Sequence, residues 1–309
     1  MRYFFFCVLV FSGEFLFAQN TIQGEPLFLQ YNFKALENTV AHYRIRSVME
    51  VQTIRNEISR NEKTTLDSLQ SRTFQPQTNC GLICIRFQEA RFFYEYDLFT
   101  PEQTPQRHSI AWNSSQPEFV STSEWGNKEI KEVPKPFQKQ IVWLPELLSQ
   151  PLKMQSSTSG ELLKLEWLQH TEEQLENIKN SWILLPSEPV ALGARWSQSF
   201  QEKLSGLGTL NIQINYLFKE WLAESQTARV DGYFEFTLDD TFGRARYETQ
   251  TTLSEDSGKI VFEFDCAKGL ITKLSRDFQF TITLTIPTEA SQTMTLKTKI
   301  YHHLQETLE

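Results

Sequence analysis

Apolar side chains in this chain recur at every second residue. Between Leu210 and Phe218 they stand at even positions (Leu210, Ile212, Ile214, Tyr216, Phe218), with Asn211, Gln213 and Asn215 between them. The same alternation appears at Phe234, Phe236 and Leu238, at Ile260, Phe262 and Phe264, and at Met294, Leu296 and Ile300. Its longest stretch is Phe278, Phe280, Ile282, Leu284 and Ile286, set against Gln279, Thr281, Thr283 and Thr285. A strand turns successive side chains to opposite faces, so each run describes one dry face and one wet face. Parallel sheets are buried on both faces and lose this pattern, which leaves antiparallel sheet. Short polar or Gly-containing links between runs imply a meander.

The first half follows the same rule less regularly. Ala41, Tyr43, Ile45, Met49 and Val51 alternate with His42, Arg44, Arg46, Glu50 and Gln52, which predicts one long strand. Leu27, Leu29, Tyr31 and Phe33 predict a shorter strand before it. Leu82 to Leu98 is rich in aromatic and β-branched residues, with Glu89-Ala90-Arg91 expected to bend or divide it. Residues 100–139 are rich in Pro, Ser and Gln without a period and read as a long surface excursion.

One helix is expected. Thr171 as N-cap with Gln174 three residues on makes a capping box, and Glu172 and Glu173 complement the helix dipole. Leu175, Ile178 and Trp182 form its apolar stripe, and Pro186 and Pro189 prevent continuation. The expected fold class is thus mainly β: two antiparallel β lobes, sandwich or half-barrel meanders, joined by one α-helix. The expected segments are a signal at 1–18, an N-terminal β lobe at 20–168, the connecting helix at 169–182 and a C-terminal β-meander lobe at 183–309. A weak echo links the two halves. Gly160 and Gly269 each sit in a turn, with Lys four residues later (Lys164, Lys273) and Leu five residues later (Leu165, Leu274).

Arg2, the apolar run Tyr3 to Phe17 and the small Ala18 have the layout of an export signal, despite Glu14 within the run. The run is shorter than the ~20 residues a spanning helix needs, so cleavage near Ala18 is expected. The mature protein is then soluble and exported, whether periplasmic, cell-surface or extracellular, with no later membrane span. Cleavage leaves Cys80, Cys84 and Cys266, an odd set. On an extended chain Cys80 and Cys84 would lie ~13 Å apart, beyond disulfide reach, although Gly81 could permit a turn.

The most specific stretch runs from Leu185 to Trp196. Its pattern of Leu185, Pro186, Pro189, Val190, Gly193 and Trp196 resembles a family of exported bacterial proteins of unknown function, often lipoproteins. Their second half opens with Leu-Pro-x-x-Pro-Val-x-x-Gly-x-x-Trp followed by a β-meander. The resemblance implies that Leu29, Gln30, Tyr31 and Phe33, with the Tyr43 strand, form an opening hairpin. The chain lacks an acylation site, which sets it apart from the lipoprotein members, and the family brings no active-site residues. Physically the six residues read as structural. The prolines hold an extended run, Gly193 permits a tight turn, and Trp196 plugs a strand start.

The chemistry-bearing motifs are missing. There is no Gly-x-Ser-x-Gly elbow, no phosphate-loop lysine and no CxxC pair. His302 and His303 are adjacent and would face opposite sides of a strand, so neither metal nor cofactor is expected. With a net charge of −8 and no local basic cluster, nucleic acid is an unfavoured partner. Aromatic residues at 13% suit bulky β cores or an apolar cleft. The expected role is a non-catalytic envelope or secreted binding or structural module, with an apolar small molecule or an envelope protein as partner. The alternatives are a carrier or sensor for a lipid or other apolar ligand, and a hydrolase whose site assembles only in the fold.

Overall fold

The computed structural model describes residues 26–101, 106–123, 148–166, 182–204, 208–239, 250–287 and 293–309. These form thirteen strands in one antiparallel sheet. The first seven are β1 (Val40–Arg55), β2 (Ile58–Gln77), β3 (Cys80–Phe99), β4 (Gln106–Asn113), β5 (Gln116–Ser123), β6 (Leu152–Ser157) and β7 (Leu162–Glu166). The rest are β8 (Arg195–Leu204), β9 (Gly208–Leu222), β10 (Thr227–Asp239), β11 (Gln250–Asp265), β12 (Leu270–Pro287) and β13 (Thr293–Leu308). The hydrogen-bonded order is β5-β4-β3-β2-β1-β13-β12-β11-β10-β9-β8, and β6 carries β7 alongside β3.

The alternation converts directly into burial. Leu210, Ile212, Ile214, Tyr216 and Phe218 of β9 are all buried, as are Phe278, Phe280 and Ile282 of β12. Hairpin turns use residues that tolerate positive φ, such as Asn56 at 53° between β1 and β2 and Asn79 at 64° between β2 and β3. The expected bend near Glu89-Ala90-Arg91 is a register shift, where Leu69 faces Glu89 but Gln70 faces Phe87. β3 otherwise runs unbroken.

The hydrogen bonding does not mark the expected division into two lobes. β1 pairs with β13 from Tyr43↔Leu308 to Arg55↔Leu296, so the first and last described strands lie side by side in mid-sheet. One main apolar cluster draws on both halves, from Leu29 and Phe74 to Phe234 and Ile300. Ala90, Phe92, Tyr94, Ile110 and Trp112 make a smaller second cluster. For one open sheet to share a core it must curl. Phe236 of β10 and Phe280 of β12 meet at 4.9 Å across the intervening β11, which places both on the concave face.

Two further expectations are corrected. Leu27 to Phe33 is not a strand: only Leu27 bridges, to Val190, and the segment crosses the end of the sheet as a strap. Alternation is retained, with Leu29, Tyr31 and Phe33 buried, because a strap laid over an apolar end also has one dry side. The excursion at 100–139 includes the paired strands β4 and β5, joined by a turn in which Asn113 Oδ1 accepts from the Ser115 amide at 3.1 Å. Ile110 and Trp112 anchor that hairpin in the second cluster. The connecting helix expected at 169–182 lies outside the described residues except for Trp182, and so does the signal at 1–18.

Candidate functional site

The β6–β7 turn, the β11–β12 turn and the start of β3 meet the strap at one end of the sheet. The amide of Tyr31 donates to the Thr158 carbonyl at 2.7 Å, and the amide of Asn32 donates to the Gly269 carbonyl at 3.2 Å. Phe33 lies over Gly81, where a Cβ would fall 2.1 Å from its ring. The strap therefore closes this end and sets Tyr31 into the concave side.

A second extended segment covers the concave face near β8. Gln198 donates from Nε2 to the Trp182 carbonyl at 2.9 Å, and its Oε1 accepts from the Leu184 amide at 3.2 Å. Trp196 donates from Nε1 to the Leu184 carbonyl at 2.9 Å and stacks on Tyr216 at 5.3 Å. Leu185 is buried, Val190 exchanges backbone hydrogen bonds with Leu27, and Gly193 turns at φ 87°. Pro186 is half-buried and Pro189 is exposed. The six residues thus clasp the strap and the start of β8, and none of them lines a described cavity.

The cavity lies farther along the concave face. It measures about 190 Å³ and is walled by Tyr31, Tyr43, Phe74, Met154, Trp182 and Leu304, with Arg72, Arg276 and Glu306 among them. Its lining spans β6, β3, β2, β1, β13 and β12, which on a flat sheet would cover ~24 Å. So small a space can touch all six only because the sheet curls.

Arg72 is the centre of the polar wall. Its Nη1 and Nη2 donate to Glu306 Oε1 and Oε2 at 2.8 and 2.9 Å, and Nη2 also reaches Gln70 Oε1 at 3.3 Å. Its guanidinium lies 4.0 Å from the Tyr43 ring centroid and 6.0 Å from that of Trp182. Burial opposes the charge of Arg72, but the Glu306 carboxylate outweighs it and keeps the guanidinium firmly protonated. Burial pushes the Tyr43 hydroxyl up to about 12, and that hydroxyl donates to the Ile271 carbonyl at 3.0 Å. Burial likewise raises the Tyr31 hydroxyl. Neither phenol ionises near neutrality, and the Tyr43 hydroxyl is held by its bond to the Ile271 carbonyl.

His302 and His303 do point to opposite faces. His303 pairs with Asp277, while His302 is 2% exposed, beside Phe278, with Nε2 2.9 Å from Ser47 Oγ. Burial, then Arg276 and His303, pull the His302 imidazole down to about 3. A base so weak at neutral pH, bordering neither described cavity, is a poor activator for Ser47. No cluster of His, Cys, Asp and Glu that could hold a metal occurs among the described residues. Cys80, Cys84 and Cys266 are all free.

The reading of the sequence missed Arg72, Glu306 and Arg276 as site residues. Their signal was present as charged residues at dry-face positions. Arg276 stands between Leu274 and Phe278, Glu306 between Leu304 and Leu308, and Arg72 between Gln70 and Phe74. No helix among the described residues is long and apolar enough to cross a membrane. Comparisons with protein-family models and with curated proteins return no match.

Proposed function

We propose that this protein is a non-catalytic binding module working outside the cytoplasm, after removal of residues 1–18, and that the cavity around Arg72 is its ligand site. The observation that carries this reading is a buried, charge-balanced guanidinium set in an aromatic wall on the concave face. A purely structural core would be cheaper to fill with apolar side chains, since burying an ion pair rarely adds stability. The resemblance to exported bacterial proteins supports the compartment. The two strand-rich halves, 20–168 and 183–309 with their link at 169–182, act here as walls of one binding surface.

Size selects the ligand. Carriers of large apolar molecules need roughly 300–1,000 Å³, whereas an apolar cavity of about 150 Å³ is known to take benzene. The value near 190 Å³ favours a single-ring or similarly compact molecule over an acyl chain. Native mass spectrometry of protein recovered from the exported fraction tests the whole reading. Expected are a mass reduced by the first eighteen residues and release of a compact ligand, or thermal stabilisation by benzoate, benzamide or phenol. Copurification of acyl lipids alone would favour the carrier alternative. An uncleaved cytoplasmic protein that none of the three probes stabilises would remove the proposal.

A further inference from the structure

The opposite, outer face of the same sheet carries a second concavity of about 420 Å³, larger than the inner one and unconnected with the proposed ligand site. Strand register builds its floor from two adjacent cross-strand rows. The first is Tyr301–Glu50–Lys63–Glu95, and the second is Lys299–Gln52–Asn61–Asp97, each crossing β13, β1, β2 and β3. With strands ~4.8 Å apart and residues on one face ~6.8 Å apart, the patch measures about 14 by 7 Å.

We propose that this groove binds a neutral carbohydrate, as a short oligosaccharide or the end of a longer glycan. Its volume falls in the range of small-molecule sites, ~300–1,000 Å³. Acceptors and donors alternate within it. Glu50 and Glu95 flank Lys63, to which Glu50 is paired, and the amides of Gln52 and Asn61 can do both. A sugar hydroxyl both donates and accepts, so neighbouring hydroxyls match such a row. A polyanion would meet Glu50, Glu95 and Asp97, and a polycation would meet Lys63 and Lys299. Tyr301 is 36% exposed at the end of the first row and offers the aromatic surface on which the C–H face of a pyranose stacks. The side chain of Val51 turns inward to the main apolar cluster, so an acyl chain finds little apolar side-chain surface here beyond Tyr301.

The test is a glycan array probed with the full exported chain, displaying neutral hexose and hexosamine oligosaccharides beside uronates and sulfated glycans. Spermine is added as a soluble competitor. Neutral glycans should be retained, and Tyr301→Ala and Glu95→Ala should each weaken retention at least tenfold with unchanged melting temperature. Tyr301→Phe should keep most of it. Retention of no neutral glycan, binding undiminished in both variants, preference for sulfated glycans or displacement by spermine each overturns the assignment. None of these readouts depends on the inner cavity, so the two proposals fail separately.

Discussion

Arg72 on β2 and Glu306 on β13 join through paired hydrogen bonds of 2.8 and 2.9 Å, passing over β1, which lies between their strands. Their side chains are only 9% and 12% exposed, so each charge depends on the other for solvation. Removing one partner leaves an uncompensated buried charge, at a typical cost of about 3–5 kcal/mol. Arg72→Met should therefore lose about that much in urea unfolding. The double variant Arg72→Met, Glu306→Leu should recover most of it, because the apolar replacements remove both desolvation costs. Ligand stabilisation by the single-ring probes should be absent in the double variant even though its fold is restored. A double variant as unstable as the single one would show that the pair holds the sheet together.

Gly269 is constrained twice and Gly193 once. Gly269 sits at φ 69°, and a Cβ there would fall 2.4 Å from both the amide nitrogen and the Cβ of Asn32. Gly193 sits at φ 87° with nothing within 4 Å of a built Cβ. The left-handed conformation alone costs an L-residue about 1–2 kcal/mol. Gly193→Ala should lose about that amount, whereas Gly269→Ala should lose clearly more, because the strap must also shift. Chemical denaturation of the two variants compares them directly. Equal losses would mean that the strap yields without cost.

The alternation was legible wherever the dry face is apolar, which is why β9, β10, β11 and β12 could be located from residues such as Ile212, Phe234, Phe262 and Phe280. β2 was not legible. Its concave-face residues include Thr64, Ser68, Gln70 and Arg72, whose polarity masks the period, and two of these line the candidate site. The polar lining of the candidate site thus hides the local signal there. The meeting of β1 with β13 was invisible for another reason. No turn chemistry links Tyr43 to Leu308, and pairing between strands so far apart in sequence is set by closure of the whole sheet. The strap failed differently again: the burial of Leu29, Tyr31 and Phe33 was readable, but a one-sided coil and an edge strand share one pattern.

Cys80 and Cys84 share the outer face of β3, and extended geometry separates their Cα atoms by ~13 Å. Cys266 lies in the turn between β11 and β12, where burial first and then the Asp265 charge push its thiol up to about 11. The cleaved protein, purified without reductant and denatured, should yield three thiols in a colorimetric assay. In the folded protein Cys266 should react slowly at pH 8, since the thiolate is the nucleophile. Fewer than three equivalents would mean a disulfide in solution where the structure holds all three cysteines free.

His302 gives the protein a stability that falls as pH drops below neutrality. Its imidazole titrates near 3 in the folded state against 6.5 unfolded, because the site is dry and Arg276 and His303 lie nearby. Between those values the unfolded chain binds a proton that the folded chain refuses, so unfolding becomes easier as pH falls. Between pH 7.5 and 5 the cost should be on the order of 2 kcal/mol. Asp231 and Asp265 also have lowered values, with burial opposed by their lysine partners, but they begin to matter only below about pH 4.5. His108, lowered by burial, adds a slope of the same sign, so the discriminating quantity is the difference between the native protein and His302→Gln. The glutamine amide can keep a hydrogen bond to Ser47 without taking a proton, and the variant should show the flatter profile by urea unfolding across that range. Parallel profiles would mean that His302 is protonated in the folded protein, and that water reaches the concave face beside Phe278.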